Sequence, residues 1–186
     1  MDYRSQRDRE CDKAIVELSR GEKEALSVIY SHCAPMICSV AKNIFGNSAD
    51  VEDALQETML RILKYAGNYR PGTSPCAWVL SIARNCAKDM AACRNLENAV
   101  YLDSEENEHL RESLPDKALD VESFAIIHDA LQKLSSAETA IVKLRYYYGF
   151  SFKEIASVME SNAVAVKKRY QRAINKLRDY YERESQ

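Results

Sequence analysis

The chain has 186 residues, 46% of them apolar and 29% charged, with a formal net charge of −2. That length holds one medium domain or two small ones with packed cores, and the charge content is ordinary for a water-soluble protein. No stretch approaches the roughly 20 apolar residues that span a bilayer, and Met1-Asp2-Tyr3-Arg4 leads into charged residues instead of an apolar signal core. A cytoplasmic chain without membrane insertion is therefore expected.

Only five glycines and four prolines interrupt the sequence, and helical periodicity fills most windows while alternating runs are scarce. The predicted fold is all-α. In the amino-terminal part, about residues 8–95, the spacing predicts four helices. The first spans about Cys11 to Leu18, with Gly21 at its end. The second runs from Glu22 towards Phe45, bent at Pro35, and the third begins near Asp50. In that third helix Leu55, Met59, Ile62 and Leu63 form the inward stripe. Its front carries Asp50, Glu52, Asp53 and Glu57 and its back Arg61 and Lys64. Dipole compensation accounts for that order, and so does a docking face for a basic partner at Asp53, Gln56 and Glu57. A polar stretch from Tyr65 to Ser74 leads to a fourth helix starting near Pro75. There Trp78 and Ile82 are expected to pack, while Arg84, Asn85 and Lys88 share a polar flank. Aromatics beside such a flank either pack or hold unstacked bases.

Six cysteines (11, 33, 38, 76, 86 and 93) all fall in the first half. His32-Cys33 with Cys38 invites a metal reading, yet no CxxC pair exists and ligands at this spacing diverge on a helix. Buried free thiols are the expectation, with no metal site and no cofactor. Cys86 and Cys93 lie seven apart, on roughly one helix face, which leaves redox control open. Three dispersed histidines offer no catalytic constellation, so the chain is not expected to be an enzyme.

Between Glu97 and Asp120 stand eight acidic residues against Arg111 and Lys117, and residues 96–120 read as an acidic linker. Helix resumes near Val121, where Phe124, Ile127, Leu131 and Leu134 keep helical spacing. Ser135, with Glu138 three residues on, forms a capping box, and Gly149 ends the helix it opens. Residues 121–183 thus form a second unit. Phe152, Ile155, Ala156 and Met159 make a short apolar stripe, and next comes the turn Glu160-Ser161-Asn162-Ala163. The turn lacks glycine, and Asn162 is expected to adopt left-handed angles or to cap the last helix. In that helix Val166, Tyr170, Ala173, Ile174, Leu177 and Tyr181 should face inward. Lys167, Lys168, Arg169, Gln171 and Arg172 supply a basic, polar surface. From Asn162 to Arg183 seven Lys/Arg stand against Asp179 and Glu182. Two short helices, the second presenting Lys, Gln and Arg, have helix-turn-helix geometry suited to a major groove.

These segments carry a resemblance. The run Asp50-Val51-Glu52-Asp53-Ala54-Leu55-Gln56-Glu57-Thr58-Met59-Leu60-Arg61 resembles the core-polymerase-binding helix of bacterial sigma factors. Ala77-Trp78-Val79-Leu80-Ser81-Ile82-Ala83-Arg84-Asn85 resembles their promoter-melting helix. Ser151 to Arg178 is similar to their carboxy-terminal helix-turn-helix. With the two regions joined by a short linker, the match is to the extracytoplasmic-function group. The resemblance implies a non-enzymatic subunit that binds core RNA polymerase and promoter DNA and is held in check by an anti-sigma factor. It implies polymerase contacts at Asp53, Gln56 and Glu57. Trp78, Arg84, Asn85 and Lys88 would lie at the −10 element, and Lys167, Lys168, Arg169, Gln171 and Arg172 at the −35 element. Met90-Ala91-Ala92 stand where the group usually has arginines, which implies fewer phosphate contacts there. Two other readings of the residues are a free-standing helix-turn-helix regulator and a sigma-like interaction protein deficient in promoter melting.

Overall fold

The first helix begins well before its apolar stripe. In the computed structural model, which describes residues 3–45, 49–98, 131 and 133–184, α1 runs Tyr3–Ser19. The expected span of Cys11 to Leu18 covers only its second half. Residues 4–10 are mostly charged, yet Arg7 is only 2% exposed. It continues the face of Cys11, Ala14, Ile15 and Leu18 one turn further, and its charge is met by the Asp8 carboxylate and the Tyr148 carbonyl. Gly21, at φ +96°, closes α1, with its amide donating to Leu18 O at 3.0 Å.

A 3-10 turn at Lys23–Ala25 leads into α2, Leu26–Phe45, which contains Pro35 at an exposed position. α3 is Ala49–Tyr65 and α4 is Pro75–Asn98. Pro75 suits the first turn of α4, where its missing N–H has no helical partner to lose. The stripe of α3 faces inward as read from the spacing: Met59 and Ile62 are buried, Leu55 and Leu63 half-buried, and Val51, Ala54 and Thr58 extend it.

In the second unit α5, Ser136–Val142, opens with the expected capping box: the Ser135 hydroxyl accepts from Glu138 N, and the Glu138 carboxylate accepts from Ser135 N. A π-helical turn, Lys143–Tyr147, and Gly149 at φ +74° end it. A second capping box, Ser151 with Glu154, opens α6, Phe152–Val158. α7 is Ala163–Glu184. Val166 and Ala173 are buried and Tyr170, Ile174 and Leu177 half-buried, but Tyr181 is 62% exposed. The expected inward position of Tyr181 is thus corrected. The helical repeat alone does not reveal where the partner surface stops, and the last turns of α7 run past it.

The two units share one continuous apolar cluster. Ile15, Ile29, Ile37, Ile62 and Leu80 from the first unit belong to the same cluster as Ile141, Leu144, Phe150 and Ile155 from the second. Each such side chain, truncated to alanine, costs about 2–5 kcal/mol. Leu134, Val142 and Ala173, with Leu131, Ile174 and Leu177, make a smaller core inside the second unit. The expected linker beyond Asn98 and the expected helix start from Val121 to Phe124 and Ile127 lie outside the described residues.

Candidate polymerase- and DNA-binding surfaces

The turn between α6 and α7 solves its lack of glycine in an unexpected way. Asn162 caps α7, its side-chain oxygen accepting from Ala165 N at 2.7 Å. The left-handed residue is Glu160, at φ +46°. Left-handed angles cost a non-glycine residue free energy unless the surroundings compensate. Here they aim the carboxylate at α4. Glu160 Oε1 lies 2.5 Å from the buried Arg84 Nη1, and Glu160 Oε2 lies 2.6 Å from Lys88 Nζ. Lys88 and then Arg84 hold the Glu160 carboxyl below its usual range. The turn of the helix-turn-helix motif therefore pairs with two of the four residues assigned by resemblance to the −10 element.

The other two of those residues differ in setting. Asn85 is exposed, whereas Trp78 is half-buried against the main core with its ring 5.2 Å from that of Tyr69. Trp78, Ile82 and Asn85 share one face of α4 by their spacing, with Arg84 and Lys88 on the adjoining flank. Beyond them Met90 is half-buried against the cluster of Ala41, Val51, Ala54 and Ala87. It replaces phosphate chemistry with packing.

On α3, Asp53 and Gln56 are exposed. Glu57 is half-buried and accepts from Arg61 Nε at 2.8 Å, while Arg61 Nη1 reaches Asp89 on α4 at 2.6 Å. Arg61 thus ties the carboxylate of the acidic face to the polar flank of α4. On α7, Lys167, Lys168, Arg169, Gln171 and Arg172 are all exposed. Lys176 differs from them: it donates to both Glu138 oxygens at 2.8 Å and is committed to holding α7 on α5. That pairing, with the Ser135 amide, lowers the Glu138 carboxyl.

α1 supplies residues that the periodicity of the chain does not single out. Arg4 donates to Gly149 O and, at 2.6 Å, to Glu154 Oε1. Arg7 donates to Tyr148 O at 3.2 Å and to Asp8 Oδ1 at 3.0 Å, with both guanidinium groups over the Phe150 ring at 5.7 and 5.5 Å. Ser74 Oγ adds a bond to Glu154 at 2.9 Å. Burial opposes ionisation of Glu154, but the Ser151 amide and hydroxyl, Arg4 and Ser74 outweigh it and hold the carboxyl at about 2. The Ser151-x-x-Glu154 spacing is a readable signal for this residue. For Arg4 and Arg7 the signal is their seven- and four-residue offset from Cys11.

His32 and Cys38 do not join Cys33 in a cluster: His32 Nε2 contacts Glu10 Oε2 at 2.6 Å, and Cys33 turns towards Cys11 and Cys76. Cys86 is buried and Cys93 exposed. Among the described residues no helix is long and apolar enough to cross a membrane.

Among the described residues two all-helical units, the first with an acidic helix face and a tryptophan helix and the second with a basic helix-turn-helix, have the make-up of a two-region sigma factor. Residues 29–96 match the family model for sigma-70 region 2, and residues 124–177 match that for sigma-70 region 4. The RNA polymerase sigma factor CarQ of Myxococcus xanthus is 30% identical over 160 residues, covering 86% of this chain and 90% of CarQ. The extracytoplasmic-function sigma factor SigL of Mycobacterium tuberculosis is 28% identical, over 84% and 89% of the two chains. Two solved structures share the fold. The sigma factor RpoE in complex with the anti-sigma factor NepR from Bartonella quintana has a TM-score of 0.62 at 21% identity, over 80% of this chain and 91% of that one. CnrH in complex with the cytosolic domain of CnrY has a TM-score of 0.59 at 19% identity, over 93% and 97%. The chain belongs to the extracytoplasmic-function group of RNA polymerase sigma factors. It is an alternative sigma factor that directs transcription initiation.

Proposed function

We propose that the α3 face of exposed Asp53 and Gln56 and half-buried Glu57 docks on core polymerase. Residues 8–95 form the polymerase- and −10-binding unit, 96–120 the tether, and 121–183 the −35-binding unit. The observation that carries this reading is the sidedness of the helices. α3 and α7 each turn one apolar face to the core and leave the family-matching polar residues in solvent. Trp78, Arg84, Asn85 and Lys88 engage the −10 element, and Lys167, Lys168, Arg169, Gln171 and Arg172 engage the −35 element and its phosphates. The chain acts in the cytoplasm as a non-catalytic subunit, and an anti-sigma protein is its regulatory partner, as the two complexes of fold relatives suggest.

Co-purification with core RNA polymerase tests the docking face. Wild-type chain should be retained, and a Gln56→Ala/Glu57→Ala double variant should be retained at least about tenfold less well, the loss of one or two interfacial anchors. No retention of folded wild type would favour a free-standing regulator.

The closed arrangement adds an expectation. Glu160 neutralises Arg84 and Lys88 and places a carboxylate where a phosphate would approach, so the free chain holds a −10 strand better once both pairs open. Glu160→Ala should raise the affinity of the free chain for single-stranded −10 DNA severalfold while leaving the polymerase-bound complex unchanged. Equal affinity of wild type and variant in fluorescence anisotropy would show that Glu160 does not compete with DNA.

A further inference from the structure

Three cysteines that are far apart in sequence meet in the core. Cys11 on α1, Cys33 on α2 and Cys76 on α4 are fully buried. Cys33 Sγ lies 3.9 Å from each of the other two sulfurs, and all three lie within 4.8 Å of one another. A carboxylate reaches the same spot: Asp8 Oδ1 is 3.4 Å from Cys76 Sγ.

We propose that Cys11, Cys33 and Cys76, with Asp8 as the fourth ligand, form a site for one zinc ion at the junction of α1, α2 and α4. Four tetrahedral ligands with zinc–sulfur bonds of about 2.3 Å place their sulfurs about 3.8 Å apart, and a zinc-bound carboxylate oxygen about 3.5 Å from each sulfur. Two sulfur pairs and the Asp8–Cys76 pair already have those spacings; the third sulfur pair needs to close by no more than about 1 Å, and the Asp8 carboxylate, which is not within 4.8 Å of all three sulfurs, needs to swing further in over the cluster. Soft thiolate ligands favour zinc over the hard cations. Three buried thiols alone are ordinary core residues; here a carboxylate held by Arg4 and Arg7 also touches one of them.

The outer shell fits as well. Asp8 Oδ1 accepts from Arg7 at 3.0 Å and Oδ2 from Arg4 at 3.4 Å, so both oxygens are oriented by groups that sit behind a metal-binding carboxylate. Three thiolates and one carboxylate around Zn(II) leave two negative charges, beside which stand Arg7 and Arg4, the latter shared with Glu154. Three thiol protons leave to solvent as the ion enters. Asp8 is 25% exposed at its side chain, which opens a route from solvent to an otherwise sealed cluster. With four protein ligands the site is closed, so its role is structural. It joins α1 to α2 and α4 just where Arg4 and Arg7 hold residues 148–154 of the second unit.

The test uses the full chain, purified fully reduced with zinc present. Expected are one zinc per chain and an X-ray absorption spectrum with three sulfur neighbours and one oxygen or nitrogen. Chelation should lower the melting temperature. Asp8→Asn should weaken zinc binding at least about tenfold, Cys33→Ala should abolish it, and Cys93→Ala should change nothing. Reduced, folded wild type that takes up no zinc would overturn the proposal, as would zinc without sulfur neighbours. So would a Cys11–Cys33 disulfide that forms in place of metal uptake when zinc is offered. If Cys33→Ala fails to fold, the wild-type spectrum and Asp8→Asn still decide.

Discussion

Replacing Glu154 by alanine should destabilise the folded protein by about 2–3 kcal/mol, the sum of a lost helix cap and of charged hydrogen bonds left half-made. One side chain here serves three elements. It caps α6 through Ser151 N at 2.7 Å, takes Arg4 of α1 at 2.6 Å and takes Ser74, just before α4, at 2.9 Å. Its removal takes one charged acceptor from the half-buried Arg4 guanidinium, which keeps Gly149 O and Asp8 among its partners. Glu154→Gln keeps the shape and part of the cap but not the charge, so it should lose less. The carboxyl is depressed from its ordinary 4.5 to about 2, so its contribution is full above the unfolded value and disappears as pH falls through the folded one. The stability gap between wild type and Glu154→Gln, from urea unfolding, should be constant above about pH 4.5 and shrink between there and pH 2. A gap that stays flat to pH 2 would mean the carboxylate charge is not what binds α6 to α1.

The second large effect concerns α7. Lys168→Ala/Arg172→Ala should weaken binding to −35 duplex about 100-fold or more. Each lost base contact costs about 1–3 kcal/mol, and each lost phosphate contact reduces the slope of log K against log salt by about one. Lys176→Ala is the informative control. Although Lys176 is also a lysine on the same helix, its charge is paired with Glu138. Its loss should lower the stability of the second unit and leave the DNA salt slope as it was. If Lys176→Ala flattened the slope as much as Lys168→Ala, the assignment of the DNA face would be wrong.

The sequence leaves Lys176 out of the −35 surface but does not reveal its partner Glu138, and that difference shows how far local pattern reaches. Helical periodicity is enough to find α2, α3, α4 and α7, most of their inward stripes and the exposed polar residues of α3 and α7. It works because an amphipathic helix writes its burial into the spacing of its apolar side chains. Capping chemistry is equally local: Ser135 with Glu138 is legible directly, and Ser151 with Glu154 obeys the same rule. Family-level resemblance rests on the same kind of local pattern, in the acidic helix, the tryptophan helix and the basic helix-turn-helix.

Periodicity does not carry any pairing between distant segments. Arg4 and Arg7 look like solvated charges at the start of a chain until Tyr148, Gly149 and Glu154 are beside them. Glu160 looks like an odd residue in a turn until Arg84 and Lys88 face it, and its left-handed backbone is sensible only with that partner. Tyr181 keeps the helical repeat of its neighbours but overhangs the surface they pack on. Cys33 is 22 residues from Cys11 and 43 from Cys76 along the chain, and no spacing rule connects them. Local sequence sets which face of each helix is apolar, because that depends only on the geometry of one helix. Which charges are free to meet DNA, and which are already neutralised, depends on what the other helices bring alongside, and only the packed tertiary structure decides that.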